Sequence, residues 1–311
     1  MFRLYAAIWR VSAGRQVFLI LLSLAIAALA AVPLEFQKDI INLLTKREVG
    51  LSELIWLGIG MSAAILLSLG LKWVMGYRSG TLGEDVIRLI RNRITQRALE
   101  DGDNRDVIGQ GTLTTAISAE AEDLGKFAGS AFSEPVVQIG TLVSVIGYIS
   151  STQPGLGVIA LCMIAPQVAI VLFSQRQVNV FVAKRVHILR SASDTLNRED
   201  IEGAMAEVEA KFDAIYETRR KMYVWKLSTK FLLSAINGAG LVAVLMLGGT
   251  LVLDGRTDVG TVVAATAGLA RLQGPSTFLI AFYRMVSANR IRFELLVEVF
   301  GGADTDNKKP A

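Results

Sequence analysis

The chain has 311 residues, of which 52% are hydrophobic and 19% are charged, and it carries a formal net charge of +4. Its apolar residues come in long runs without any charge, which is typical of membrane spans and excludes an ordinary soluble domain. Because the sequence contains one cysteine and one histidine, it also excludes a disulfide framework and metal clusters built from these residue types.

The first predicted element is a short amphipathic helix over residues 1–15. Apolar side chains such as Leu4 and Ile8 are interspersed there with the basic residues Arg3, Arg10 and Arg15. A basic amphipathic helix of this kind lies in the membrane interface rather than across the bilayer. The segment lacks the small-residue cleavage site of a signal peptide, so we interpret it as part of the folded protein.

Six apolar runs follow, each close to the roughly 20 residues that cross about 30 Å of hydrocarbon. The predicted spans cover residues 17–34, 54–71, 135–151, 156–174, 231–253 and 259–283. The third is short, and the sixth is interrupted only by Arg271. We therefore predict an all-α membrane protein with a six-span domain over residues 16–300. Residues 301–311 form a polar tail that we expect to be disordered.

The orientation follows from the lysines and arginines that flank the spans. Of the 32 such residues, 27 lie in the two termini and the two long connections, and only four lie in the three opposite connections. We therefore predict a multi-pass protein of a bacterial inner membrane with both termini in the cytoplasm. The same rule accounts for the basic inner face, so we expect no nucleic-acid partner.

The two long inner connections have a helical pattern. Residues 204–223 contain neither glycine nor proline, and the pairs Glu207–Lys211 and Glu217–Lys221 have the i,i+4 spacing that stabilises helices. Structureless connections of about 55 to 60 residues are uncommon. We predict long cytoplasmic helical extensions of the spans, which either carry a docking surface or are simply solvated charged helices.

Two segments carry a resemblance to a known family. Residues 111–120 read Gly-Thr-Leu-Thr-Thr-Ala-Ile-Ser-Ala-Glu, and residues 248–263 read Gly-Gly-Thr-Leu-Val-Leu-Asp-Gly-Arg-Thr-Asp-Val-Gly-Thr-Val-Val. Pro275 and the Asn289-Arg290-Ile291 segment follow the second stretch. In this order and in a six-span frame, the chain resembles the transmembrane domain of ABC exporters as far as about Val299. Residues 193–203 keep little of the family's second coupling segment.

The resemblance implies partners and a coupling site. It implies a homodimer, or a heterodimer with a similar half, that binds a nucleotide-binding ATPase. The residues that would contact this ATPase are Gly111, Thr112, Leu113, Thr115 and Glu120. The 311 residues contain no G-x-x-x-x-G-K-[ST] phosphate-binding motif, so we expect the chain not to be an enzyme. ATP and magnesium would act only through a separate ATPase subunit, and we expect no cofactor in this chain.

Polar residues inside the predicted spans are the candidate substrate contacts. Arg271 lies near the middle of the sixth span, where a charge costs at least about 2.5–3.5 kcal/mol unless a cavity or a partner relieves it. It either lines a polar pathway for an anionic substrate or pairs with carbonyl groups of neighbouring spans. The other candidates are Gln273, Gln138, Gln167 and Asn237, each of which fits interhelical hydrogen bonding equally well.

Three functions remain open from the sequence. The first is the permease subunit of an ABC transporter that works by alternating access with a separately encoded ATPase. The second is an ion-coupled transporter, which is weakened because no acid falls inside a predicted span. Glu134 lies at the edge of the third span, where we expect it to be solvated. The third is a membrane regulator that does not transport.

Overall fold

The computed structural model describes residues 2–46, 50–100, 120–196 and 201–301, and these residues are almost entirely helical. The eight helices are α1 (Phe2–Leu29), α2 (Val32–Lys46), α3 (Leu51–Glu100), α4 (Ala121–Ser130), α5 (Ser133–Thr152), α6 (Pro154–Leu196), α7 (Ile201–Leu253) and α8 (Val259–Gly301). No strand occurs in these ranges. The predicted all-α class is confirmed. The predicted tail lies outside the described residues, except for Gly301.

Five helical stretches of the described residues are long and apolar enough to cross a membrane, by length and composition. They are Phe2–Thr45, Leu51–Gln96, Ala121–Thr152, Pro154–Leu189 and Met205–Leu253. Each contains one predicted span. The sixth predicted span lies within α8, which has 43 residues but is not among the five. Its middle contains Arg271 and Gln273, whose polarity lowers the apolar character of that helix.

The first predicted span, residues 17–34, is not one continuous helix. It breaks between α1 and α2, two residues before Pro33. Proline has no backbone N–H, so it cannot bond the carbonyl group of Leu29 as a helical residue would. The amide of Leu34 donates to the carbonyl oxygen of Ala31 at 2.9 Å rather than to that of Ala30. The end of α1 therefore has carbonyl groups that need other donors.

The N-terminal segment is helical, with a kink at Ser12 (φ −138°, ψ 19°). The Ser12 hydroxyl donates to the carbonyl oxygen of Ile8 at 2.7 Å. Before the kink, the ring of Tyr5 packs edge-on against Phe127 and Phe132, at centroid distances of 6.0 and 5.2 Å. The apolar face of this segment is thus covered by α4 and the turn that follows it. Its position in the membrane interface stays a prediction.

The long helices extend well past the apolar spans, as predicted. Helix α3 continues to Glu100, and α7 begins at Ile201, thirty residues before the predicted start of its span. The predicted pair Glu207–Lys211 forms, at 2.6 Å. Glu217 pairs with Arg220 at 3.0 Å rather than with Lys221 as predicted, because the i,i+3 neighbour is also within reach of the carboxylate.

The described chain forms two compact units. The first contains α1 to α5 and α8, and the second contains α6 and α7. The core of the first unit is a cluster of buried apolar side chains from α1, α3, α4, α5 and α8. The second unit is a pair of long helices held together in part by a hydrogen bond from the Gln167 amide nitrogen to the Asn237 amide oxygen, at 2.9 Å.

In the first unit, α3 and α4 approach each other closely. A Cβ atom built at Gly129 would collide with the carbonyl oxygen of Ser79 and lie 3.3 Å from the amide nitrogen of Gly83. Both neighbours are backbone atoms, which a rotamer change cannot move. Glycine at position 129 is therefore what permits this contact, as at other close helix crossings in membranes.

Candidate functional site

A cavity of about 600 Å³ lies in the first unit, between α1, α2, α3, α5 and α8. Three charged side chains line it: Lys72, Glu134 and Arg271. Much of the remaining wall is apolar, with Ile26, Leu69 and other aliphatic side chains. Its volume is within the usual range of small-molecule sites, about 300–1,000 Å³. The wall combines an apolar surface with two cations and one acid.

Arg271 is anchored at the break between α1 and α2. Its Nη1 donates to the carbonyl oxygen of Ala30 at 2.8 Å. This carbonyl is one that the break leaves without its usual helical donor, since Leu34 bonds Ala31 instead. The guanidinium group has five N–H donors, so one bond to a carbonyl leaves others for a ligand. The sequence left two alternatives for Arg271, which were to line a polar pathway or to pair with carbonyl groups of neighbouring spans. In the structure, Arg271 both lines the cavity and bonds a carbonyl group.

The polar wall of the cavity consists of two stripes at helical spacing. On α3, Ser68 and Lys72 are one turn apart, and on α5, Glu134, Gln138 and Thr141 occupy successive turns. Residues three and four apart share one face of a helix, so each set faces the same space. Lys72 directly follows the second predicted span, and Glu134, at the edge of the third, was expected to be solvated. Both line the cavity with Arg271, where Lys72 is exposed and Glu134 is partly exposed, and the spacing of the two stripes was the signal that could have revealed them.

The five predicted pathway residues separate into three groups. Arg271 and Gln138 line the same cavity. Gln273, two residues further along α8, is exposed and does not line it. Gln167 and Asn237 lie in the second unit and bond each other, which is the interhelical alternative noted for both.

The predicted coupling residues are largely beyond what the structure describes. Gly111, Thr112, Leu113 and Thr115 lie outside the described residues. Glu120 directly precedes α4 and is partly buried, and its side chain makes no capping hydrogen bond to that helix. Its role in contacting an ATPase stays a prediction.

The sequence model of a family described as the ABC transporter transmembrane region matches residues 16–187, which is more than half of the chain. The chain belongs to this ABC transmembrane family. No curated protein sequence matches it. The family match includes α2 to α5, half of α1 and most of α6, so the cavity wall up to Thr141 lies within it. The family model does not cover the part of the predicted resemblance from residue 188 to about Val299, and Arg271 lies in this part.

Membership of the ABC transmembrane family agrees with the long apolar helices and identifies a multi-pass membrane protein. The orientation of the termini and the bacterial inner membrane stay predictions. The cavity is bounded by α1, α2, α3 and α5, which belong to stretches long and apolar enough to cross a bilayer, and by α8. A charged side chain within a membrane span is usually buried in protein or lines a water-filled space.

Helix α2 contacts the start of α8. The Asn42 side-chain oxygen accepts from the amide of Gly260 at 2.8 Å, and Asp258 Oδ1 accepts from the amide of Thr261 at 2.6 Å. Burial opposes ionisation of Asp258, but hydrogen bonds from the Thr261 amide and Asn42 lower its pKa on balance. Asp258 is therefore the N-cap of α8, and α2 holds that helix end in place.

The variant Asp258→Ala is expected to lower the free energy of unfolding by about 1 kcal/mol, the usual cost of losing an N-cap. Because the pKa of Asp258 is lowered in the folded protein, its contribution is complete above the ordinary value of 3.8 and disappears as the pH falls through the lower folded-state value. Unfolding in detergent at pH 7 and in strongly acidic buffer measures both effects. Asp254→Ala, in the same turn, should change little, and equal losses from the two variants would contradict the cap.

The bond between Gln167 and Asn237 predicts a measurable coupling in the second unit. Replacing each residue by leucine, singly and together, is expected to give a coupling energy of about 0.6 kcal/mol and no more than about 1.7 kcal/mol, the range found for polar pairs in membrane helices. Unfolding of the four proteins in detergent measures it. Gln138→Leu, in the first unit, should be additive with Asn237→Leu. A coupling of zero between Gln167 and Asn237 would contradict the pairing.

Proposed function

We propose that this chain is the membrane-spanning permease subunit of an ABC-type transporter, which moves a substrate across the bacterial inner membrane by alternating access. A separately encoded ATPase would drive the motion. The observation that carries this proposal is the cavity between α1, α2, α3, α5 and α8, whose largely apolar wall also contains the charged residues Lys72, Glu134 and Arg271. The membership of the ABC transmembrane family supports the assignment to ABC-type transport.

The charge of the cavity favours an anionic amphiphile as the substrate. Two cations and one acid leave the wall with a net positive charge, and a guanidinium group binds carboxylate and phosphate groups through paired hydrogen bonds. The aliphatic side chains around them would accept an apolar part of the same molecule. Substrate binding would offset part of the cost of keeping Arg271 inside the membrane.

The partners follow from the family. Two membrane halves, either identical or similar, would enclose the pathway, and membrane lipid would surround them. An ATPase would contact the segment that contains Gly111, Thr112, Leu113, Thr115 and Glu120, so that ATP and magnesium act through the partner. Closure of the ATPase would rock the long helical extensions, and with them the walls of the cavity.

The test is to purify the tagged protein from its native membrane in mild detergent, identify co-purifying proteins by mass spectrometry and assay ATP hydrolysis. We expect a stoichiometric ATPase with activity. The charge reversal Glu120→Lys should reduce its recovery, whereas Glu84→Lys, an exposed residue on the extension of α3, should not. A clean dimer without ATPase activity would contradict the proposed coupling, and strictly monomeric protein in single-molecule photobleaching would contradict the dimer.

One observation favours a second candidate, an ion-coupled transporter. Glu134 lines the cavity together with Arg271, and proton relays usually use an acid. This candidate predicts that a pH gradient drives flux in vesicles that contain the purified chain without any ATPase, and that Glu134→Gln abolishes this flux. Flux that requires ATP and its hydrolase would exclude it. No flux under either condition would leave the non-transporting regulator.

A further inference from the structure

A second cleft, of about 490 Å³, lies between α1 and α3 in the first unit. Helix α1 contributes Gly14, Arg15, Phe18 and Leu19, and helix α3 contributes Tyr77, Arg78, Thr81 and Asp85. None of these eight residues lines the cavity around Arg271. The cleft is therefore a separate space, with two arginines, one aspartate and an aromatic-apolar floor.

The cleft keeps one positive charge that nothing in the described chain neutralises. Arg15 forms an ion pair with Asp85, and the two side chains are 61% and 56% exposed. An exposed pair of this kind stabilises a protein by at most about 1 kcal/mol, so a ligand can rearrange it at little cost. Arg78 makes no ion pair with the residues that the structure describes. Its planar guanidinium is suited to bidentate binding of a phosphate group.

The predicted spans place the cleft at the edge of the bilayer, on the side where α1 begins. Arg15 is two residues from the predicted start of the first span, and Arg78 is seven residues past the end of the second, which is about 10 Å of helix. Nearby, the ring of Trp73 stacks on that of Tyr77 with a centroid distance of 6.0 Å, and the two residues are 72% and 60% exposed. Exposed tryptophan and tyrosine are enriched where a membrane protein meets the headgroup region.

We propose that this cleft binds the headgroup of an acidic phospholipid with a phosphoglycerol structure, in the leaflet where α1 begins. The phosphate would accept hydrogen bonds from Arg78 and Arg15. The glycerol hydroxyls would donate hydrogen bonds to the carboxylate of Asp85, which accepts hydrogen bonds but donates none. The half-exposed ring of Phe18 would contact the first part of an acyl chain. Basic pockets between membrane helices are typical sites for anionic lipid headgroups.

The proposal is independent of transport and needs only the membrane placement of α1 and α3. It is tested with the purified full-length chain in detergent by native mass spectrometry and by thermal unfolding with added lipid. Dioleoylphosphatidylglycerol should remain bound and raise the unfolding temperature, and dioleoylphosphatidylcholine should do neither. Arg78→Gln should weaken the apparent affinity for phosphatidylglycerol about tenfold, as expected when a charge-assisted hydrogen bond is lost.

Arg88→Gln is the matched control, because it removes the same charge from an exposed site on the same helix outside the cleft. It should bind phosphatidylglycerol like the wild type. Equal binding by Arg78→Gln and Arg88→Gln, or equal retention of the two lipids, would overturn the proposal. If Arg78→Gln does not fold, Arg78→Lys replaces it in the test. This variant keeps the charge but loses the bidentate geometry, so it should bind phosphatidylglycerol more weakly than the wild type. Unchanged binding by Arg78→Lys would overturn the proposal.

The source of the phosphate is separated in the same assay. Inorganic phosphate and soluble glycerol phosphate, each added at the ionic strength of the lipid samples, should leave the unfolding temperature unchanged, since neither carries the acyl chain that Phe18 would contact. Protection by either to the same extent as by phosphatidylglycerol would overturn the assignment to a lipid.

Discussion

The variant Arg271→Met is expected to transport an anionic amphiphile at least about 30-fold more slowly than the wild-type complex. Methionine has a similar length but no charge, so the substrate would lose the guanidinium partner inside a low-dielectric cavity. Removing one side of a desolvated, hydrogen-bonded charge pair costs about 2–5 kcal/mol, and 2 kcal/mol corresponds to roughly 30-fold. The carbonyl group of Ala30 would lose its donor in the same change.

The measurement uses vesicles that contain the protein with its co-purified ATPase. Transport and stimulation of ATP hydrolysis are followed with a fluorescent single-chain lipid that has a phosphoglycerol headgroup, and with its phosphocholine counterpart. Arg284→Met is the matched control, because it removes an exposed arginine from the same helix outside the cavity. It should transport like the wild type. Arg271→Lys, which keeps a charge and a donor, should retain part of the activity.

The two probes separate a role in binding from a role in folding. If Arg271 contacts the anionic group, Arg271→Met should lose the preference for the anionic probe over the zwitterionic one. If the arginine only supports the break between α1 and α2, both probes should be affected alike and the protein should unfold at a lower temperature. Wild-type transport of the anionic probe by Arg271→Met would reject the proposed role of the cavity.

The variant Gly129→Ala is expected to lower the free energy of unfolding by about 1–3 kcal/mol, the usual cost of overpacking a close contact. The added Cβ would collide with the carbonyl oxygen of Ser79 and crowd the amide of Gly83. Since these are backbone atoms of α3, relief requires that α3 and α4 move apart. Alanine is favoured over glycine in a helix by about 1 kcal/mol. This preference offsets part of the loss in the free energy of unfolding and accounts for the lower end of the expected range.

Gly80→Ala, in α3, provides the control, because a Cβ at position 80 would meet no atom within 4 Å apart from its chain neighbours and its own helix backbone. It should be neutral or slightly stabilising. Unfolding in detergent, followed by circular dichroism, compares the two variants with the wild type. A Gly129→Ala protein as stable as Gly80→Ala would show that α3 and α4 do not pack at this distance.

The helix class, the approximate positions of five of the six predicted spans, and the family were accessible from the sequence because they depend on local patterns. A charge-free run is a property of consecutive residues, and the long extensions of α3 and α7 follow from residues that favour a helix. The break near Pro33 was also encoded locally, since proline cannot continue the hydrogen bonding of α1, although the apolar run concealed it. The pairing of Glu217 was a choice between two neighbours at similar distance, which spacing alone does not decide.

The candidate site depended on distant contacts. Arg271 and the carbonyl group that it bonds are 241 positions apart, and Gln167 and Asn237 are 70 apart. Composition shows that a buried charge or amide needs a partner, but not which helix supplies it. Lys72 and Glu134 illustrate the same limit, because their position at the ends of apolar runs fits a solvated residue and a cavity residue equally well.

The sequence by itself determined that this protein is helical, resides in a membrane and belongs with the ABC transmembrane regions, since hydrophobic runs, charge asymmetry and short motifs are written along the chain. Only the tertiary structure decided that Lys72, Glu134, Gln138 and Arg271 share one cavity. It also decided that Arg15 and Arg78 face a second cleft. The physical reason is that helical periodicity fixes which residues share a face, whereas packing between helices fixes which faces meet.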